Sequence, residues 1–340
     1  MENCKLKIEN RKFLLYTSPF VPAEWIAAHG LAPYRLFPAS HSHAALSGSS
    51  EGLCPFAQAF TAEAATHEAV AAVFATTCDQ MRRAAEPAER AGSHPVFLFN
   101  VPATWQSPAA QTLYRDELLR LGRFLVRLGG ARPDPAFLAE VMLSYDSART
   151  SLQSQRQTLS ARAAAEALVS FNQDGFGVRR LGAAFPLAPD PSPLAPRLAL
   201  LGGPLLREQF GIYDEIERRG ARVVLDATET GERTLPAPFD RARLRDDPLA
   251  ELARAYFLHI PDACRRPNNL LYEWLAKELA ARRVQGVLLL RCVWCDLWHA
   301  EAQRLKECLA VPVLELDPSG TAGAGLRTQE RLQALLEMFT

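Results

Sequence analysis

The sequence predicts an α/β protein built as two stacked parallel-sheet domains with added helices. Three observations carry that prediction. The run Gly286-Val287-Leu288-Leu289-Leu290 is apolar and too short to form a helix face, so it reads as a strand buried on both sides of a parallel sheet. From position 197 onward such runs alternate with helix-length periodic stretches, the rhythm of right-handed βαβ units. The proline-rich stretch 187–196 has almost no apolar pattern and interrupts that rhythm. A chain of 340 residues is long for one small domain. The reading is therefore an N-terminal α/β domain with a helical insert over 1–186, a linker at 187–196, and a C-terminal α/β domain over 197–340.

Taken in order, Phe20 to Gly30 opens with proline and stops at glycine, which marks a short helix. Tyr34 to Phe37 reads as a brief strand, and 41–52, rich in Ser, Gly and His, as a loop leading to Cys54. Phe56 to Ala69 is helical, and Val70 to Thr76 is the strand that delivers Cys78. Pro95 to Val101 is a further buried strand, halted by Pro102. Thr112 to Leu128 is an amphipathic helix closed by Gly129-Gly130, and two more helices fill Asp134 to Phe171, with Ser144 to Arg149 between or inside them. After the linker come a strand at Arg197 to Leu201, a helix at Leu205 to Arg219 and a strand at Ala221 to Leu225. Helices near Pro248 to Leu258 and Asn268 to Arg283 lead to the Gly286 strand. A helix from Leu297 to Leu309, a strand from Val311 to Leu316 and a helix from Arg327 to Phe339 finish the chain.

Thirty-eight basic residues balance thirty-eight acidic ones, so no basic footprint points to nucleic acid. No apolar run approaches membrane-spanning length. The opening Met-Glu-Asn-Cys-Lys lacks the apolar stretch of a secretory signal, and a reducing cytoplasm is expected. There, clustered cysteines point to metal or catalysis rather than disulfides.

Seven cysteines are present. Cys4, Cys264 and Cys308 fall in a tail, a proline-flanked loop and a helix face, and read as ordinary packing residues. Cys54, Cys78 and Cys295 each follow a strand or a glycine-containing loop, where open α/β sheets place their ligands. Three such thiols suit a soft-metal site, with zinc, copper(I) and iron–sulfur clusters all open at this point. Cys292 and Cys295 form a Cys-x-x-Cys, but a thioredoxin-like motif needs that pair in a different βαβ setting, and a structural zinc site needs a second such pair. Cys295 opens a helix, whose free N–H groups stabilise a thiolate; Cys292 reads as part of the preceding strand, directed into packing. His41 and His43 precede Cys54, and His299 follows Cys295 by one helical turn, so each is a candidate contact to the site. Gly202-Gly203-Pro204 reads as a tight turn, and neither a Gly-x-Ser-x-Gly nor a His-Glu-x-x-His is present.

An ordered set of short motifs begins at Pro22-Ala-Glu-Trp-Ile-Ala-Ala-His-Gly-Leu-Ala-Pro33 and continues through Cys54-Pro-Phe, Cys78-Asp79 and Tyr114-Arg-Asp-Glu117. It resumes at Arg197 to Pro204, Ile216 to Val224, Thr230-Gly-Glu-Arg233, Asp247-Pro248, Gly286-Val287, Cys295-Asp296 and Leu326 to Gln329. In this order the set resembles the catalytic subunits of 2-hydroxyacyl-CoA dehydratases and benzoyl-CoA reductases, including double-cubane cluster protein relatives. The resemblance implies two stacked Rossmann-like (flavodoxin-like) domains with a [4Fe–4S] cluster between them, held by Cys54, Cys78 and Cys295, or a larger double-cubane cluster. It implies a homodimer or a heterodimer with a paralogous subunit, an ATP-dependent activator iron–sulfur protein that supplies low-potential electrons, and radical dehydration or reduction of an acyl-CoA. The double-cubane relatives reduce small molecules instead, and a cluster-carrying accessory subunit is the further alternative. Bulky Trp294 and Trp298 flank Cys295 where the pattern leads one to expect less bulk, and Cys292 is an extra candidate ligand.

Overall fold

A computed structural model describes residues 12–40, 52–92, 94–156, 158–173, 194–318 and 326–339. Cys4, His41, His43 and most of the 187–196 linker lie outside the described residues.

Two four-stranded sheets organise the chain, and every strand pairing in them is parallel. The first contains β1 (Phe13–Tyr16), β2 (Ala32–Arg35), β3 (Ala71–Ala75) and β4 (Val96–Phe99), in the order β2-β1-β3-β4. The second contains β5 (Arg197–Gly202), β6 (Arg222–Ala227), β7 (Gly286–Leu290) and β8 (Val313–Leu316), in the order β6-β5-β7-β8. Both sheets thus share one winding. The strand order reverses between β1 and β3 in one sheet and between β5 and β7 in the other, which is where doubly wound sheets open a crevice.

Alternation along the central strands explains why both faces of each sheet are covered. Leu14, Tyr16, Val73 and Phe99 face α1 (Ala23–Ala28), α4 (Pro108–Arg127) and α5 (Pro135–Arg156). Leu15, Ala72 and Phe74 face α2 (Pro55–Thr66) and α3 (Asp79–Ala91). In the second sheet Leu198, Leu200, Leu288 and Leu290 pack under α7 (Gly211–Arg218), α12 (Leu326–Glu337) and the side of α6 (Ala161–Gln173). Ala199, Leu201, Val287 and Leu289 pack under α10 (Asn269–Ala281) and α11 (Asp296–Cys308).

The two sheets are tied by shared cores rather than by a linker alone. Between β6 and α10 the chain forms α8 (Arg241–Asp246) and α9 (Pro248–Phe257), and their apolar residues Leu244, Leu252, Tyr256 and Phe257 join the core of the first sheet. Tyr114 of α4 stacks on Phe257 with ring centroids 4.6 Å apart, and its hydroxyl donates to the Phe20 carbonyl at 2.6 Å. Glu24 of α1, fully buried, accepts from Arg149 of α5 and from the Tyr256 hydroxyl at 2.6 Å. A buried carboxylate is tolerable only with such partners.

The differences from the sequence reading have local causes. β1 is only four residues long and went unread, although it is central. β2 begins at Ala32, two residues earlier than predicted, and carries Pro33 on an edge strand, where a missing N–H costs no ladder bond. α3 was also unread: it is largely polar and holds Pro87 within it. The helix predicted over 205–219 divides into a 3₁₀ turn at Arg207–Phe210 and α7. Ser144 to Arg149 lies inside α5. β7 ends at Leu290, so Cys292 is beyond the strand rather than in it.

Candidate metal centre

The carboxyl ends of the four central strands converge on one cleft of about 170 Å³. Thr17 and Ser18 leave β1, Thr77 and Cys78 leave β3, Gly203 and Pro204 leave β5, and Cys292, Trp294 and Cys295 leave β7; all line it. Cys54, Glu229 and Asp262 complete the wall. Both topological switch points therefore open on the same space.

Each of the three predicted cysteines caps a helix. Cys54 is the N-cap of α2, with Pro55 at the first helical position and the Ala57 N–H donating to its sulfur at 3.4 Å. Its own N–H donates to Gln80 Oε1 at 2.7 Å. Cys78 caps α3 and accepts from the Met81 N–H at 3.4 Å. Cys295 occupies the N-cap position of α11 without a side-chain cap hydrogen bond. Three helix amino ends thus begin at sulfur-bearing residues, and at Cys54 and Cys78 a backbone N–H donates to the sulfur, which favours thiolate over thiol.

Cys292 sits with them. The turn from Cys292 to Cys295 closes through the Cys295 N–H and the Cys292 carbonyl at 3.2 Å, with Trp294 in the left-handed region at φ 67°. That conformation is costly for a bulky residue, and it brings the Cys292 thiol into hydrogen bonding with both Cys54 and Cys295. Those bonds, ahead of the helix N–H groups, pull the Cys54 and Cys295 thiols below their ordinary value against the opposing effect of burial. Cys292 is raised by the same two contacts and then by burial. Burial pushes the Cys78 thiol up.

Glu229, in the loop after β6, lines the cleft with a carboxyl that the fold holds protonated above the usual carboxylate range. Burial first, and then Asp262, raise it from 4.5 to about 7, while Arg35 and Arg233 act the other way. For Asp262, burial would also raise the carboxyl, but its 2.7 Å pair with the fully buried Arg233 holds it low. Arg233 also donates to the Ala227 carbonyl at 2.7 Å and lies over the Trp298 ring at 5.2 Å. Arg35 bridges the two halves, donating to the Thr17 carbonyl at 2.8 Å and to the Glu229 carbonyl at 2.9 Å.

Cys54, Cys78 and Cys295 are brought together from three separate stretches of sequence, and Cys292 joins them. Cys264 is buried beside Asp262 and does not line the cleft; Cys308 is exposed at the far end of α11. His299 is exposed, and its backbone N–H continues α11 from the Cys295 carbonyl at 3.0 Å. The sequence does not single out Glu229, Asp262, Gln80 or Arg35. Arg233 belongs to the Thr230-Gly-Glu-Arg233 motif, which lies just past the end of β6 with Glu229 immediately before it.

Among the described residues no three His, Cys, Asp or Glu side chains close around a single point tightly enough for one metal ion. An iron–sulfur cluster makes a different demand, because each cysteine grips a different iron and the sulfurs stand apart around the inorganic core. An all-sulfur donor set at helix amino ends fits that soft, anionic group. No helix among the described residues is long and apolar enough to cross a membrane. No curated protein matches the chain. The family described as 2-hydroxyglutaryl-CoA dehydratase, D-component matches residues 19–339. That span contains every strand of both sheets except β1, and all four cysteines of the cleft; the chain belongs to this family and is a component of the 2-hydroxyacyl-CoA dehydratase type.

Proposed function

We propose that the chain is the iron–sulfur component of a 2-hydroxyacyl-CoA dehydratase-type enzyme, with Cys54, Cys78 and Cys295 holding a [4Fe–4S] cluster in the cleft between the sheets. The observation that carries the reading is the convergence of three helix-capping cysteines from both halves of the chain on one cleft. Bound there, the group supplies low-potential electron transfer and, with three protein thiolates for four irons, one iron open to a further ligand. The chain's own residues do the rest. Gln80 fixes the Cys54 backbone, and the Arg233–Asp262 pair fixes the floor below Trp298. Glu229 holds a proton on its carboxyl near neutrality and faces the cleft, so it is placed to deliver that proton to a departing hydroxyl. A second copy or a paralogous subunit, and an ATP-dependent activator iron–sulfur protein, are the partners this reading requires.

A second reading is favoured by the size of the cleft. At about 170 Å³ it is smaller than the ~300–1,000 Å³ of ordinary small-molecule sites, and Trp294 and Trp298 occupy its wall. On that reading the chain carries the cluster and a sister subunit takes the acyl-CoA. Anaerobic titration of the loaded chain with 2-hydroxyacyl-CoAs, followed through tryptophan fluorescence, separates the two. Saturable quenching places the substrate on this chain. No response to any thioester assigns substrate binding elsewhere.

A further inference from the structure

We infer that Cys292 is a fourth protein ligand, which closes the open iron of the cluster until another ligand displaces it. The inference rests on the reading that Cys54, Cys78 and Cys295 hold a cluster, and it goes beyond that reading by giving the open position a resident occupant. The observations concern Cys292 itself. Its side chain packs against the buried cluster that contains Cys54, beside Cys78, and it lines the same cleft as all three proposed ligands. It lies outside regular structure, two residues past the end of β7, so it is not fixed by strand pairing. The turn that presents it needs Trp294 at φ 67°, with that indole 58% exposed at the mouth. A residue of this bulk in that conformation stores strain that a regular continuation from β7 into α11 would not. The turn's effect is to bring a fourth sulfur among the other three.

Ligation by Cys292 exchanges its S–H bond for an S–Fe bond. The proton leaves to solvent through the mouth beside Trp294, and no electrons change hands. Displacement by an incoming ligand runs the other way, with the thiol regaining a proton.

The test uses the full chain loaded anaerobically with iron and sulfide, in wild type, Cys292→Ala and Cys292→Ser. Iron is counted, and the paramagnetic signal of the reduced protein is followed while cyanide, a small ligand for an open iron, is added. The inference expects wild-type iron content in both variants and a cyanide-induced shift of the signal in Cys292→Ala. The wild type should need at least about tenfold more cyanide, because the cysteine competes for the position. The Ser variant should resemble the Ala variant more than the wild type. Equal cyanide dependence in wild type and both variants overturns the inference. Loss of iron from Cys292→Ala overturns it differently, by making Cys292 one of the indispensable ligands. Failure of the wild type itself to take up iron would instead remove the underlying cluster reading.

Discussion

Replacing Glu229 by Gln removes a carboxyl that the fold keeps protonated, and the effect on stability has a definite sign. The proton is held from the ordinary 4.5 up to about 7, by burial first and by Asp262 second. At ~1.4 kcal/mol per tenfold change in proton affinity, ionising this group costs about 3 kcal/mol more in the folded chain than in the unfolded one. Glu229 is half-buried, and partial access to solvent reduces the expected effect to about 1–2 kcal/mol. Below 4.5 both states carry the proton and the penalty is absent; between 4.5 and about 7 the unfolded chain has released it and the folded chain has not. Stability from this group therefore falls as pH rises through that window, and the loss is complete above it. Urea unfolding of wild type and Glu229→Gln at about pH 5 and about pH 8 isolates the effect, since other titrating groups cancel in the difference. The Gln variant should gain about 1–2 kcal/mol on the wild type between those two conditions. A difference that stays flat with pH would refute the placement of a protonated carboxyl in the cleft.

Two further substitutions test the frame that positions the site. Gly202 has φ +145°, and a Cβ there would lie 2.0 Å from the Leu290 carbonyl oxygen, so Gly202→Ala should cost about 3–5 kcal/mol or abolish soluble expression; wild-type stability would contradict the close approach of β5 and β7. Arg149→Met leaves the buried Glu24 carboxylate without its cation, and unfolding should show a loss of about 3–5 kcal/mol. Adding Glu24→Gln should recover part of that loss, whereas strict additivity of the two changes would show that the pair is not coupled.

Much of this arrangement is legible in the sequence, for identifiable reasons. β7 announces itself because four apolar residues follow a glycine and stop at Arg291, and a buried parallel strand has no use for polar positions. Cys54, Cys78 and Cys295 stand out because each follows an apolar strand or a glycine-containing loop. What stayed hidden depends on folding at long range. β1 contributes four residues to the centre of a sheet whose other strands lie up to 80 residues away in sequence, and nothing local distinguishes it. Glu229 and Asp262 meet in the cleft only once the loops after β6 and α9 fold over the same strand ends. Cys292 is hard to place from sequence for a conformational reason: β7 ends with its apolar run at Leu290, and the turn beyond it, with Trp294 left-handed, sets Cys292 in the cleft wall instead of in the strand.

Whether Cys54, Cys78 and Cys295 together hold one cluster is read most directly from iron content and the low-temperature paramagnetic spectrum of the reduced chain. Wild type, the three single Ser variants at those positions and Cys292→Ser should be purified and reconstituted without oxygen. About four irons per chain are expected in wild type, with loss or gross alteration of the signal in Cys54→Ser, Cys78→Ser and Cys295→Ser and near-normal iron in Cys292→Ser. Tightly bound zinc with iron near zero in the wild type would contradict a cluster held by these three, as would a site emptied by Cys292→Ser and untouched by Cys295→Ser.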